Sequence, residues 1–232
     1  MPIVIERRFE SSALLLESLT TDLSECLGDA LRGGNTASLL VSGGRTPAAL
    51  FDRLSRLPLD WPQVRIGLVD ERCVPADSDD SNEKLVRTRL LRDQATGAHF
   101  VPMMNAAAPA ERAATAWQAL QALRRPFDVV MLGMGDDGHT ASWFPGSAAL
   151  PAALDPHAAP GCLDVLPLAA PHERLTINFS AALQTHQLII LINGERKWQV
   201  YQQALQDGPE EDFPVRAILR QKQVPVELYW SP

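Results

Sequence analysis

Short runs of β-branched and aliphatic residues alternate with longer segments of helical periodicity along the whole chain. Two parallel strands need a crossover of a dozen or more residues between them, usually a helix, so this alternation indicates βαβ units. We therefore predict an α/β fold: an open, doubly wound, mostly parallel sheet flanked by helices, Rossmann-like. Residues 1–232 are predicted to form a single domain, because α/β folds commonly run to this length as one unit.

The positions of the elements follow from two hydrophobic patterns. Apolar residues three or four apart predict helices, and short continuous apolar runs predict buried strands. Strands are predicted at residues 3–5, 39–41, 64–69, 100–101, 127–132, 175–179, 188–192 and 226–230. Helices are predicted from residue 11 to the glycines at 33 and 34, and over 48–57, 83–91, 109–123 and 195–205. Residues 145–171 are rich in proline and show little periodicity, which predicts a surface excursion.

Charge and cysteine content limit what the protein binds and where it works. Lys and Arg total 21 against 28 Asp and Glu, a net charge of −7, whereas a nucleic-acid binder needs a basic face. The chain lacks the run of about 20 apolar residues that crosses a bilayer, and residues 1–8 lack the pattern of a signal peptide. Three scattered cysteines suit a reducing compartment. We therefore expect a cytoplasmic protein that binds neither nucleic acid nor membrane.

Three loops that follow predicted strands carry the unusual residues. Ligands of open parallel sheets bind beyond the carboxyl ends of the strands, so these loops are expected to converge. The first loop, Ser42-Gly43-Gly44-Arg45-Thr46-Pro47, has two glycines that let the backbone approach an anion. The helix after it, with Thr46 as N-cap, offers free N–H groups. An ordinary glycine-containing turn is the alternative interpretation. The loop lacks the Gly-Lys-Ser/Thr ending of a nucleotide P-loop.

The third loop spells Gly-x-Gly-x-x-Gly from Gly133, but Pro145 follows too soon for the long helix of a dinucleotide site. We predict instead a tight turn that presents Asp136, Asp137 and His139. Histidine titrates near neutrality, so His139 is our candidate general base, with a neighbouring acid to fix its tautomer. A structural or merely exposed histidine is the alternative interpretation.

The second loop, Asp70-Glu71-Arg72, adds two acids and a cation. The two acids could form a metal site with the aspartates of the third loop, or simply cap helices. The sequence has no zinc motif, and we predict neither a metal nor a cofactor. Two later cations are candidates to hold an anionic ligand, with a solvated surface charge as the default alternative: Arg174 and Lys197.

Together these motifs resemble the 6-phosphogluconolactonase family, within the broader glucosamine-6-phosphate isomerase/deaminase superfamily. The resemblance covers almost the whole chain and is carried by residues 42–47, 70–75, 81–82, 132–145, 174–176, 194, 197 and 214–219. Deaminases typically read Asp-Glu-Tyr in the second motif and Ala-Phe-Asn-Glu after the third, so Arg72 and the ending Ser142-Trp143-Phe144-Pro145 favour the lactonase branch. Two residues depart from the family pattern, Arg45 in place of Ser and Trp143 in place of Leu.

The resemblance implies hydrolysis of 6-phospho-D-glucono-1,5-lactone to 6-phospho-D-gluconate, the second step of the oxidative pentose phosphate pathway, by general-base activation of water. His139 would be the base and Arg72 a substrate or oxyanion contact. One of three acids would orient His139: Asp136, Asp137 or Asp70. Loop residues and cations would hold the phosphate: Ser42, Gly43, Gly44, Arg45, Thr46, Arg174 and Lys197. We expect a monomer or a weak homodimer.

Three other functions are weighed against this one. An amino-sugar-phosphate deaminase/isomerase of the same fold would release ammonia from glucosamine 6-phosphate. A non-catalytic sensor would bind 6-phosphogluconate without turning over the lactone. A metal-dependent phosphohydrolase, the least favoured, would release phosphate in a reaction that a chelator abolishes.

Overall fold

The structure, a computed structural model, describes residues 4–105 and 108–232, and its centre is an open seven-stranded sheet. In spatial order the strands are β1 (Val4–Arg8), β10 (Val226–Ser231), β9 (Thr185–Asn193), β6 (Phe127–Leu132), β2 (Ala37–Val41), β3 (Val64–Leu68) and β5 (His99–Phe100). The pairings between neighbours are all parallel. The chain builds outward from β2 through β3 to β5 on one side and from β6 through β9 to β10 on the other. The strand order therefore reverses between β2 and β6, and the predicted α/β class is confirmed.

Helices flank this sheet and bury its apolar side chains. They are α1 (Ser12–Leu31), α2 (Arg45–Leu54), α3 (Asn82–Arg89), α4 (Arg112–Leu120), α5 (Leu150–Leu154), α6 (Phe179–Ala182), α7 (Glu195–Ala204) and α8 (Val215–Arg220). Helix α1 packs on β2, β6 and β10. Its buried face is the leucine stripe that the periodicity predicts: Leu15, Leu16, Leu19, Leu23 and Leu27. In the described part of the chain, no helix is long and apolar enough to cross a membrane.

The two central strands, β2 and β6, are buried along their whole length. Each is almost continuously apolar, as expected for strands covered on both faces. The buried carboxylate of Asp128 on β6 accepts hydrogen bonds from the backbone N–H of Ser38 (2.7 Å) and from its hydroxyl (2.9 Å). These bonds satisfy a polar group that would otherwise be costly to bury, and they tie the two strands whose ends carry the first and third loops.

A second, three-stranded antiparallel sheet lies outside the prediction. Its strands are, in spatial order, β4 (Asp70–Arg72), β8 (Arg174–Ile177) and β7 (Cys162–Val165). The sequence pattern predicts residues 70–72 as a loop, and this prediction is wrong. The strand predicted at 175–179 is present as β8, but it ends at Ile177 and pairs in the small sheet. The excursion at 145–171 likewise contains α5 and β7, and α8 is unpredicted. Segments of three to six residues are too short to show a hydrophobic period, and their pairing is set by residues far away in the chain.

Element boundaries differ in one place that affects the site. Gly44, with φ of +123°, is the N-cap of α2, so Thr46 lies inside the first turn and its prediction as the N-cap is wrong. Residue 3 of the first predicted strand lies outside the described residues, and β1 continues beyond the predicted range to Arg8.

Candidate active site

A polar cavity of about 190 Å³ opens beyond the carboxyl ends of β2 and β6, where the strand order reverses. This is the position at which open α/β sheets bind ligands. All three predicted loops reach it. Its lining consists of Ser42, Gly43, Asp70, Arg72, Asn82, Gly133, Met134, Gly135, His139, Ala141 and Lys197.

The third loop presents a histidine paired with a carboxylate. The Nδ1 atom of His139 lies 2.6 Å from Oδ1 of Asp137, which also accepts the backbone N–H of His139 at 3.1 Å. The contact places the ring proton on Nδ1 and leaves Nε2 free to accept a proton. Gly135 lies directly under the ring, since a Cβ there would approach the imidazole to 2.2 Å. The loop therefore needs glycine at this position to hold the histidine at the cavity.

The pairing also sets the charge of Asp137. Partial burial alone would raise the pKa of the Asp137 carboxyl, but the hydrogen bond and charge of His139 outweigh it, so the pKa is lowered overall. Asp137 is therefore ionised at neutral pH and stabilises an imidazolium beside it.

The other two acids considered as partners of His139 lie elsewhere. Asp136 forms an ion pair with Arg196, with 3.2 Å between Oδ2 and Nε, and does not line the cavity. Asp70 does line the cavity, but its carboxylate accepts the hydroxyl of Ser142 at 2.7 Å. Across residues 4–105 and 108–232, no three His, Cys, Asp or Glu side chains are grouped so as to hold a metal ion.

Glu71 points away from the cavity into the protein and organises the second loop. Its buried carboxylate accepts the backbone N–H groups of Arg72 (2.7 Å), Asn82 (2.8 Å) and Glu83 (2.7 Å), and the hydroxyl of Ser81 (3.1 Å). Burial raises the pKa of Glu71, against the effect of these four bonds. Glu71 thus joins β4 to the start of α3 and satisfies N–H groups that have no partner within the helix.

Arg72 follows on the same strand and lines the cavity. Its Nη1 donates to the backbone carbonyl of Asp80 at 2.5 Å, and the Asp80 side chain accepts from His172, with 3.0 Å between Oδ2 and Nε2. The guanidinium is therefore held by the loop between β4 and α3, and this loop is in turn fixed to the segment before β8.

The first loop connects the two central strands to the second loop. The Ser42 hydroxyl donates to the carbonyl of Met131 at 3.1 Å and accepts the N–H of Gly133 at 3.2 Å. Gly43 has no room for a side chain, because a Cβ there would lie 1.8 Å from Oδ1 of Asn82. Both residues line the cavity, whereas Arg45 and Thr46 line a neighbouring cavity of about 490 Å³.

The two predicted anion-binding cations are placed differently. Lys197 lines both cavities, its Nζ donates to the carbonyl of Met134, and its pKa is lowered by burial and by the nearby charge of Arg45. Arg174 is 6% exposed and does not line the polar cavity. It pairs with Arg72 across β4 and β8, and its Nε and Nη1 have no hydrogen-bond partner among the described residues. The structure thus brings Lys197, but not Arg174, to the cavity.

Two residues with structural roles at the site are visible in the sequence only in part. Asn82 is included in the family resemblance, and a Ser-Asn pair before a helix is a recognisable cap. Ser142 also lies within a motif of the resemblance, but nothing in the sequence around it predicts that its hydroxyl donates to Asp70. Trp143, the departure from the family pattern next to it, is fully buried and donates its indole N–H to the carbonyl of Ile177 at 2.8 Å. Its role is therefore in packing.

The fold and the cavity together define an α/β protein with a histidine–carboxylate pair and two cations at one cavity, an arrangement suited to an anionic ligand. The chain matches the model of the family described as glucosamine-6-phosphate isomerases/6-phosphogluconolactonase over residues 10–230. It belongs to that family, as the motifs predict.

Similar proteins place it more closely. The chain is 45% identical to a 6-phosphogluconolactonase of Rhizobium meliloti over 225 residues, 97% of each chain. It is 40% identical to a 6-phosphogluconolactonase of Pseudomonas aeruginosa over 223 residues, 96% of this chain and 92% of the relative. The crystal structure of a 6-phosphogluconolactonase from Shewanella baltica superposes with a TM-score of 0.94 at 43% identity, covering 99% of this chain and 98% of that one.

Proposed function

We propose that this protein hydrolyses 6-phospho-D-glucono-1,5-lactone to 6-phospho-D-gluconate. The observation that carries the proposal is the 2.6 Å contact between Asp137 and His139 at a cavity that Arg72 and Lys197 also line. The choice of substrate is supported by the full-length relatives of this chain that are named 6-phosphogluconolactonase.

The first step is attack of water on the lactone carbonyl. His139 accepts a proton from the water at Nε2 while the water oxygen bonds to C1. Asp137 keeps the other ring nitrogen protonated and stabilises the imidazolium that forms. A lactone carbonyl is already electrophilic, so a positioned base suffices without a covalent nucleophile.

The second step is collapse of the tetrahedral intermediate. Arg72 faces the cavity and stabilises the negative charge that develops on the carbonyl oxygen. The bond between C1 and the ring oxygen then breaks, and the imidazolium of His139 returns its proton to that oxygen, which becomes the C5 hydroxyl. The immediate product is the carboxylic acid, which ionises to the carboxylate by releasing its proton to solvent, and the enzyme is back in its starting protonation state.

The phosphate is expected at the end of the cavity formed by Gly43 and Lys197. There the N-terminus of α2 begins at Gly44, and its free N–H groups favour an anion. Ser42 supports this end by joining β2 to β6, and Arg45 and Thr46 stand beside it in the neighbouring cavity with Lys197. Arg174, paired with Arg72 across β4 and β8, contributes through its charge rather than through contact with the phosphate.

The test is the initial rate of acid release from freshly prepared 6-phosphogluconolactone, after subtraction of spontaneous hydrolysis. His139→Ala is expected to lower kcat by roughly a hundred- to ten-thousand-fold, the range for loss of a general base. His157→Ala, which removes an exposed histidine outside the cavity, is the matched control and should keep the wild-type rate. A wild-type rate no faster than the spontaneous one would exclude the proposal, and ammonia release from glucosamine 6-phosphate would then favour a deaminase.

The same proposal includes three expectations that rest on the sequence alone. The protein works in the cytoplasm, residues 1–232 act as one domain, and the chain is a monomer or a weak homodimer. Sedimentation at several concentrations tests the last of these, since a stable dimer at all concentrations would contradict it.

A further inference from the structure

We propose that Asp70 binds ring hydroxyl groups of the substrate and thereby selects sugar-derived lactones over less hydroxylated ones. The inference rests on the proposed function, because it assigns a role to one residue of the same cavity. It gives Asp70 a role in specificity, separate from the proton transfer carried out by His139.

The position of Asp70 is the first argument. Among the described residues that line the cavity, Asp70 carries the only carboxylate. Asp137 is occupied by His139, and Asp136 by Arg196. Asp70 is therefore the acid that a bound substrate meets directly.

The way Asp70 is held is the second argument. Its Oδ2 accepts the hydroxyl of buried Ser142 at 2.7 Å, and its Oδ1 lies 3.5 Å from Nδ2 of Asn82. The same Asn82 amide donates to the backbone carbonyl of Asp70 at 2.9 Å. Both partners are neutral side chains, one from the third loop and one from the first turn of α3. The carboxylate is thus fixed in direction and keeps lone pairs that can accept further hydrogen bonds, while the charge of the nearby Arg174 acts on it without a hydrogen bond.

The third argument is chemical complementarity. An acid in a cavity that binds an anion costs affinity through charge repulsion, unless it makes a contact that offsets this cost. The phosphate and the carbonyl of the lactone are acceptors and suit Lys197 and Arg72. The ring hydroxyls are the donors of the substrate, and an ionised carboxylate is the acceptor that binds them most strongly. An analogue that lacks the contacted hydroxyl leaves Asp70 desolvated and unpaired, and such a site rejects it.

The experiment compares kcat/KM for the parent 6-phospholactone and its 2-deoxy, 3-deoxy and 4-deoxy analogues in wild-type protein and in Asp70→Ala. Wild type is expected to discriminate against at least one analogue by about tenfold to a hundredfold, the range for a hydrogen bond to a charged group. In Asp70→Ala the parent and that analogue should react with nearly equal kcat/KM. A merely structural role would lower all rates by one factor and leave their ratio unchanged.

Two further variants keep the test decisive. Asp70→Asn preserves the shape of the side chain and answers the question if the alanine variant does not fold, with a smaller ratio expected than in wild type. Asp29→Asn removes a carboxylate that pairs with Arg32 on the surface of α1, and it should keep the wild-type ratio. An unchanged ratio in both Asp70 variants, or a wild type that accepts every analogue equally, would overturn the assignment while leaving the lactonase proposal intact. Failure of the wild type to hydrolyse the parent lactone would overturn both.

Discussion

Two parts of the cavity are held together in different ways. The first wall, formed by Gly135, Asp137 and His139, is held by contacts between residues close in sequence. The second wall, formed by residues 70–72 and Asn82, depends on contacts between residues farther apart in the chain. On the first wall, Asp137 contacts His139 two positions away, and the N–H of Gly135 donates to the carbonyl of His139 at 2.8 Å. On the second wall, Glu71 gathers donors from residues 72 and 81–83, and Asp70 contacts Ser142, 72 positions along the chain.

We infer from this difference that the first wall carries the proton transfer and that the second wall positions the side chains that contact the substrate. The first wall is a short loop at the end of a buried strand, so changing its side chains alters the reaction more than the fold. The second wall exists only when β4, α3 and the third loop are already in place. Changing Glu71 there should therefore alter stability and substrate affinity together.

The largest effect expected from this comparison is on the first wall. Asp137→Asn removes the charge that stabilises the imidazolium and lets the wrong ring nitrogen carry the proton, so kcat should fall by roughly a hundredfold or more. The free energy of unfolding near neutral pH should change little, because the Asp137 side chain is 53% exposed. Steady-state kinetics and urea unfolding of the same sample measure both. A large loss of stability with normal kcat would reverse the roles we assign to the two walls.

A smaller effect, of a different kind, is expected on the second wall. Glu71→Gln puts an amide N–H₂ among four donors, so at least one buried N–H loses its acceptor and the protein should lose about 1–3 kcal/mol of stability. KM for the lactone should rise, because Arg72 and Asn82 are both positioned through Glu71.

The matched control for this variant is Asp79→Asn, which changes a carboxylate in the loop between β4 and α3. It breaks only the ion pair with Lys84, at 2.6 Å, where the Asp79 side chain is 98% exposed, and should leave the stability nearly unchanged. Equal destabilisation by the two variants would show that Glu71 has no special place in the second wall.

The same contrast explains what the sequence could predict. The parallel sheet and the first wall could be predicted from the sequence. Strands β2 and β6 are almost continuous apolar runs, and the loops after them carry glycines next to polar and charged side chains. Placing Asp70 and His139 in one cavity also followed, since strand ends of a parallel sheet meet at one edge.

The second wall could not be predicted from the sequence, because its geometry depends on strand pairing between residues far apart in the chain. Residues 70–72 carry no apolar pattern, and only their antiparallel pairing with β8 shows that they form a strand. Arg174 is buried beside Arg72 on the neighbouring strand, and the sequence could not predict this burial because it does not show the pairing. The sequence does not determine which acid contacts His139, since Asp136 and Asp137 differ only in the direction the turn gives their side chains.

The smallest expected effect is a pH dependence of stability that belongs to the first wall alone. Because the pKa of Asp137 is lowered in the folded protein, its contact with His139 stabilises the fold at pH values above the ordinary carboxyl pKa of about 4. This contribution is lost as the pH falls through the lowered pKa, where the carboxylate is protonated even in the native state. Urea unfolding of wild type and Asp137→Asn should therefore give a stability difference that shrinks between about pH 6 and about pH 2. If the difference in unfolding free energy between the two proteins stays constant over this range, the Asp137 charge contributes nothing to the stability of the fold. The first wall would then contribute to the reaction alone.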